Sequence, residues 1–240
     1  KADVSELEWP PGSGERVVVK DFKNRPRWFR ILAARPMLRR EARALRALKD
    51  VEGVPKLVAY PDADCIVQQK MPGIQLQEID RHDVDEETVV RLDALVAEIH
   101  ERGVTHGDLH HENILVQDGQ VALIDWATAA MFPQKNRGLR GWLFEEFQAL
   151  DLRAVAKVKL FYVRRLSQED YDLLENGSRA YRSVKKLRHA LDRIRGKKRT
   201  DRVNKLLDIM KSKRANDEPA GLVSREHTSE ETVPENEHIR

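Results

Sequence analysis

Cysteine is almost missing from this 240-residue chain. Its single thiol, Cys65, cannot close an internal disulfide, which excludes a disulfide-stapled scaffold and fits a reducing compartment. Long apolar runs are missing too: none approaches the roughly 20 residues needed to span a bilayer. No signal peptide and no internal repeat is visible. The expectation is a soluble, cytoplasmic protein, although residue 1 is Lys rather than Met, as in a chain cut from a longer one. Net charge is only +3, so the chain as a whole is not strongly polarised.

What is present is unevenly distributed. Hydrophobic residues make up 40% of the chain, enough for a core, and the length suits one large domain or two small lobes around a cleft. From Lys23 to Lys49 the chain is densely basic, with Glu41 as its one acid, and a second basic stretch runs from Arg182 to Arg202. The last residues, Asp217 to Arg240, are acidic and polar and lack periodicity, so residues 214–240 read as a disordered tail.

Pattern divides the remainder into a strand-rich part, residues 1–70, and a mainly helical part, residues 71–213. Ser5 to Phe22 reads as a hairpin turned by PPGSG (Pro10 to Gly14) into the β-branched RVVVKDF. Met37 to Leu48 has helical spacing in Leu38, Ala42, Leu45 and Leu48, and short strands follow near Lys56 to Tyr60 and Cys65 to Gln69. Glu86 to Arg102 is an amphipathic helix with Val89, Leu92, Leu95, Val96 and Ile99 on one face and Gly103 as its C-terminal stop. NILV and VALID make a hairpin around Asp118-Gly119. Asp151 to Arg165 and Glu169 to Arg195 read as further helices.

The chemistry concentrates in HGDLHHENIL (His106 to Leu115) and LIDW (Leu123 to Trp126). Asn113 and Asp125 lie 12 positions apart on the two arms of the expected hairpin, so the turn folds both oxygens back to one end. A carboxylate and an amide suit Mg²⁺, which takes few protein oxygens and keeps others from phosphate and water. Asp108 precedes Asn113 by five positions on a loop, free to face a hydroxyl, while His106 and Leu109 pack inward. Lys20 ends the VVVK strand and Glu41, in RREARAL, follows 21 positions later on the next helix, a spacing that lets the two pair. Taken singly, Lys20 reads as the solvated charge that a strand-ending lysine usually is, and Glu41 as a surface salt-bridge partner among arginines. HGDLHH also resembles a fragment of metallophosphoesterases, but the further DxH and GNHE partners that such a metal site needs are missing. Trp126 and Cys65 read as core residues.

Together VVVK, RREARAL, HGDLHHEN and LIDW, in this order, resemble the atypical branch of the protein-kinase superfamily over roughly Val17 to Arg165. The nearest likeness is to the bacterial lipopolysaccharide-kinase and RIO-like families, with the loop itself similar to aminoglycoside phosphotransferases. The resemblance implies an α+β, two-lobed kinase-like fold that uses ATP with Mg²⁺ or Mn²⁺. It implies Lys20 as the phosphate-contacting lysine, Glu41 as its partner, Asp108 as the catalytic base, and Asn113 and Asp125 as metal ligands. Asp151 takes the place of the aspartate that braces the catalytic loop together with His106, and Gln69, Lys70 and Met71 form the hinge that meets adenine.

Departures narrow the expectation. Gly107, His110 and Trp126 replace residues of HRDLK and DFG, and no APE follows, which disfavours control by activation-loop phosphorylation. Gly12 and Gly14 read as a turn between two strands rather than as the nucleotide-binding glycine loop, which is expected near or before residue 1. RPRWFRILAARPMLRR interleaves cations with Trp28, Phe29, Ile31 and Leu32, either as a membrane-surface helix or as a basic face whose apolar residues join the core. RGKKR (Arg195 to Arg199) is faintly similar to the C-terminus of the small kinase of the threonylcarbamoyl-tRNA machinery. The expected acceptor is a hydroxyl, foremost on a lipid-linked sugar of the lipopolysaccharide core. That places the protein at the inner face of an inner membrane, with anionic lipid rather than nucleic acid as partner. The alternatives are a RIO-like serine/threonine protein kinase and a catalytically inactive kinase-like binding module.

Overall fold

A computed structural model describes residues 2–132, 138–177 and 206–211. Four antiparallel strands open the chain: β1 (Asp3–Glu8), β2 (Arg16–Asp21), β3 (Leu57–Asp62) and β4 (Cys65–Gln69), in the spatial order β1-β2-β4-β3. The expected hairpin is therefore present. Its register pairs Lys20 with Val4 and Arg16 with Glu8, so the turn holding Gly12 and Gly14 lies at the opposite end of the hairpin from Lys20. Between β2 and β3 runs α1 (Arg35–Ala47), introduced by a short helical segment, Arg27–Phe29, and a wide π turn, Arg30–Ala34. Pro36 sits in the first turn of α1, where its missing N–H costs nothing. Leu38, Ala42, Leu45 and Leu48 are all buried, each leucine contributing about 1.5–3 kcal/mol by its burial.

The basic stretch before α1 serves two purposes. Arg35 and Arg30 both hydrogen-bond the carboxylate of Asp64, which ties the segment to the β3–β4 turn. Phe29 packs against the core and Ala34 lies within it, but Trp28, Ile31 and Leu32 point to solvent, with Leu32 74% exposed. Of the two readings of this stretch, the core-joining one holds for Phe29 and fails for those three residues.

The second part contains β5 (Ile74–Gln75), α2 (Glu86–Glu101), β6 (Val104–Thr105), β7 (Ile114–Gln117), β8 (Gln120–Leu123), β9 (Ala130–Met131), α3 (Leu139–Val158) and α4 (Gln168–Glu175). Asp85 caps α2 by accepting the Thr88 N–H at 2.7 Å, and the five expected apolar residues of α2 are buried. β7 and β8 form the expected hairpin, with Asp118 and Gly119 both at positive φ as a tight primed turn requires. One helix differs from expectation: α3 begins at Leu139, so Asp151 sits well inside it rather than opening it. The helix expected over Glu169 to Arg195 runs as far as Glu175; residues 178–195, the whole of the second basic stretch and the acidic tail lie outside the described residues.

A continuous core runs from Phe22, Leu38 and Leu45 through Val54 and Leu92 to Ile114, Leu123 and Trp126. The strand-rich and helical parts therefore share apolar packing along α1 and the Trp126 turn, an α+β arrangement of kinase-like form. Gly53 stitches the join. Its carbonyl accepts the Leu123 N–H at 2.7 Å, its φ is +81°, and a Cβ there would stand 2.5 Å from Val121 O, so no other residue fits without displacement. Among the described residues no helix is long and apolar enough to cross a membrane.

Candidate active site

Lys20 lies at the centre of a charge cluster drawn from three elements. Its Nζ is 2.6 Å from Glu41 Oε1 on α1 and 3.0 Å from Asp125 Oδ1 beyond β8. Glu41 is sealed from solvent at 1% side-chain exposure, Lys20 is nearly so at 14%, and Asp125 remains open at 52%. Burial opposes the Lys20 charge, but attraction to Glu41 and then Asp125 outweighs it and holds the ammonium above its ordinary pKa. Burial lifts the Glu41 carboxyl even against the pull of Lys20. These two shifts act on the pair in opposite senses. The ammonium is the charge that persists, because two carboxylates hold it and one cation holds Glu41. Burial would also raise Asp125, yet Lys20 overcomes it and leaves that carboxylate below its ordinary range.

Asp125 is held in a left-handed backbone conformation, φ 65° and ψ 73°, rare for a non-glycine residue and frequent where a side chain must be aimed. What holds it is the turn that follows. Trp126 is fully buried, its Nε1–H donates to Leu123 O at 3.0 Å, and its ring lies 4.7 Å from that of His106.

The loop carrying Asp108 is tied down by Asp151. This buried carboxylate accepts the N–H of His106 at 2.7 Å, the N–H of Gly107 at 2.9 Å and a ring nitrogen of His100 at 3.1 Å. His106 faces inward, as its neighbour Leu109 does. Its Nε2 lies 3.0 Å from Ile124 O, and since a carbonyl only accepts, that nitrogen carries the proton. Burial pushes the imidazole below its ordinary pKa, with Asp151 only partly opposing, so it stays neutral at pH 7. Gly107 has φ +78°, and a Cβ there would stand 2.8 Å from Thr128 O, while the Thr128 hydroxyl donates to His106 O. The braced loop presents the Asp108 carboxylate to solvent at 58% exposure, with His110 Nε2 3.7 Å from Oδ2.

Asn113 and Asp125 flank the open end of the β7–β8 hairpin: Ile114 pairs with Leu123, and the next contact is Ile124 N–H to Asn113 O. The Asn113 amide nitrogen donates to Asp108 O at 2.9 Å, which leaves its Oδ1 as the free donor atom. A free amide oxygen and a carboxylate held ionised form a hard, oxygen-only donor pair that suits Mg²⁺ or Mn²⁺. Among the described residues no group of three or more His, Cys, Asp or Glu is placed to hold a metal.

The hinge residues are not brought to Lys20. The cavity around Lys20, about 440 Å³, is lined by Val4, Phe22, Phe29, Met37, Glu41 and Asp125 among others, whereas Met71 lines a separate one with Gly53 and Leu95. The Gln69 and Lys70 N–H groups are taken by Lys56 O and Arg16 O, and the Lys70 side chain by Glu6. The Met71 N–H has no partner among the described residues. A residue not singled out in the sequence adjoins them: Gln68 pairs in register with Val18, on the same face of the sheet as Lys20 and Ile66. It is 4% exposed, and its Oε1 has no hydrogen-bond partner among the described residues. An orphaned buried acceptor three positions before a free backbone N–H is a candidate pair of contacts for a nucleobase with its own donors and acceptors. The period-2 pattern of CIVQQ could have revealed Gln68. No sequence signal marked His100 as the third partner of Asp151.

A family model described as the RIO domain matches residues 16–140, just over half of the chain. This chain belongs to the RIO domain family. The match runs from the first residue of β2 to the start of α3, so it contains Lys20, Glu41, Asp108, Asn113 and Asp125 but stops short of Asp151. A protein of Methanoculleus marisnigri, described as a probable bifunctional tRNA threonylcarbamoyladenosine biosynthesis protein, is 33% identical over 124 residues. That alignment covers 51% of this chain and 22% of the relative, so the chain spans under a quarter of it. Both matches fall on the RIO side of the expected resemblance; neither is to a lipopolysaccharide kinase. ATP-dependent kinase chemistry is what membership of this family implies.

Proposed function

We propose that this protein is a RIO-type kinase that transfers the γ-phosphoryl group of ATP to a serine or threonine hydroxyl of a protein. The observation that carries the reading is the Lys20 ammonium bonded at once to Glu41 and Asp125, next to a loop that Asp151 braces to expose Asp108. Lys20 neutralises phosphate charge from a fixed position, because Glu41 restrains its Nζ. Asp108 accepts the proton of the attacking hydroxyl as the new O–P bond forms and the bond to the β–γ bridging oxygen breaks, releasing ADP. Asn113 Oδ1 and Asp125 would hold Mg²⁺, which when bound offsets charge on the β- and γ-phosphates. Gln68 and the Met71 N–H supply one acceptor and one donor for adenine.

The RIO match favours a protein acceptor over the lipopolysaccharide-core sugar expected from the sequence, and nothing at the site calls for a lipid-linked one. The presence of Lys20, Asp108, Asn113 and Asp125 together argues against an inactive binding module. The test is phosphate transfer from labelled ATP to the protein itself and to serine peptides, for wild type and Asp108→Asn. Loss of transfer by about 10²–10⁴-fold, with nucleotide binding retained, is expected of a general base. Transfer undiminished in Asp108→Asn would refute the assignment.

A further inference from the structure

On α1, Arg40 and Arg43 stand one turn apart and face a second cavity. It measures about 570 Å³ and is completed by Gly107, Thr128, Met131 and Phe147 among others. Both arginines are exposed, and neither has a hydrogen-bond or ion-pair partner among the described residues. Among the described residues the lining contains no acidic side chain, so no described carboxylate opposes the two permanent cations. Three other arginines of the stretch are partnered, Arg30 and Arg35 with Asp64 and Arg25 with Asp3, while Arg27 and Arg39 are exposed without a partner among the described residues but do not line this cavity.

Position gives this cavity its interest. Gly107 lines it, and Gly107 is the chain neighbour of Asp108, about 3.8 Å away from Cα to Cα. An anion seated between Arg40 and Arg43 therefore lies within a few residues of extended chain of the hydroxyl that Asp108 faces. Gly107 also keeps the wall open, since no side chain can extend from it without striking Thr128 O. Residues 132–141 read FPQKNRGLRG, with three cations and no Asp, Glu, Ser, Thr or Tyr, so neither a local carboxylate nor a local phosphorylated side chain can fill the role.

We infer that this cavity is an acceptor subsite: Arg40 and Arg43 bind a carboxylate of an acidic peptide segment that carries the phosphorylated hydroxyl. Two arginines one turn apart give forked, charge-assisted hydrogen bonds to a carboxylate. The described lining holds only this pair of cations, flanked by the apolar Met131 and Phe147, which favours a single acidic side chain over the repeated phosphates of an extended nucleic-acid backbone. The inference rests on the proposed protein-kinase reading and specifies the substrate that reading leaves open.

The experiment uses two serine peptide pools of equal length, one with Glu and one with Gln at the flanking positions, and the variant Arg40→Gln/Arg43→Gln. Wild type is expected to show a KM at least about tenfold lower for the Glu pool, a difference the double variant loses, with the change in KM. Nucleotide affinity of the double variant, measured by titration with a fluorescent ATP analogue, reports that it is folded. A second arm measures binding of Glu-rich peptides with Ala in place of Ser, which needs no transfer. Arginine-dependent binding there without any transfer to the serine peptides would defeat the kinase reading and leave the anion site standing. Equal KM for the two pools, a preference that survives in the double variant, or displacement of the Glu peptide by short single-stranded RNA at equal concentration overturns the inference.

Discussion

Asp151 Oδ2 lies 2.7 Å from the backbone nitrogen of His106, a contact across 45 positions of sequence, and Asp151 Oδ1 takes the next N–H, that of Gly107. A buried carboxylate bonded to two consecutive amides fixes the direction in which the chain leaves toward Asp108. Charge-assisted hydrogen bonds of this kind contribute about 1.5–3 kcal/mol each. Asp151→Asn keeps the shape but turns one oxygen into a donor that faces an N–H. It is expected to lower stability by about 2–4 kcal/mol by urea unfolding and to reduce kcat for phosphate transfer without weakening nucleotide binding. Unchanged kcat in a folded Asp151→Asn protein would mean that the loop holds its course unaided.

How far this arrangement was legible in the sequence depends on the element. Lys20 and Glu41 could be paired because a strand and a helix with clear periodicity fix their faces, and they stand 2.6 Å apart. Asn113 and Asp125 could be brought to one end because Asp118-Gly119 dictates a tight hairpin. The start of α3 was illegible for a physical reason. Leu139 and Trp142 are exposed while Glu146 is buried, the reverse of the pattern that marks an amphipathic helix. Trp28, Ile31 and Leu32 were ambiguous because local sequence does not record whether the sheet extends over a face. Gln68 escaped notice because a polar residue in a buried strand is read as an exception, and here the exception shares its sheet face with Lys20.

Lys20→Met removes the strongest opposition to the burial of Asp125 and leaves His106 and the Ala127 N–H as the weaker ones. The Asp125 carboxyl, held below its ordinary range chiefly by Lys20, is then expected to rise, visible as an upward shift of its side-chain carbon titration by NMR. Phosphate transfer falls by about 10²–10³-fold, the usual loss when one preorganised electrostatic contact is removed. An Asp125 titration that does not move would show that some other group keeps it ionised.

Gln68→Leu separates folding from nucleotide binding. Leaving a buried acceptor unpaired costs on the order of 1–3 kcal/mol, so replacing it with an apolar side chain of similar size is expected to leave the nucleotide-free protein as stable or more so. The same change removes a partner for adenine, and calorimetry is expected to show ATP affinity reduced by about five- to tenfold. If ATP affinity is unaltered while stability rises, Gln68 is an unpaired core residue and not part of the nucleotide site.

Asp64 gives a prediction with a defined pH window. Its carboxyl is held below the ordinary range first by the Arg35 hydrogen bond, which outweighs burial, and then by the charge of Arg30. A carboxylate with a depressed folded-state pKa contributes stability that is fully present above its unfolded pKa, near 3.9, and is lost as the pH falls through the folded value. Asp64→Asn is therefore expected to lower the urea midpoint at pH 7 by releasing Arg30 and Arg35 from the β3–β4 turn. The gap from wild type stays constant down to about pH 5 and narrows below about pH 4, as the wild-type carboxylate itself protonates. Urea unfolding of both proteins between pH 3 and pH 7 checks this, and a gap that widens toward low pH would show that the clamp does not depend on the Asp64 charge.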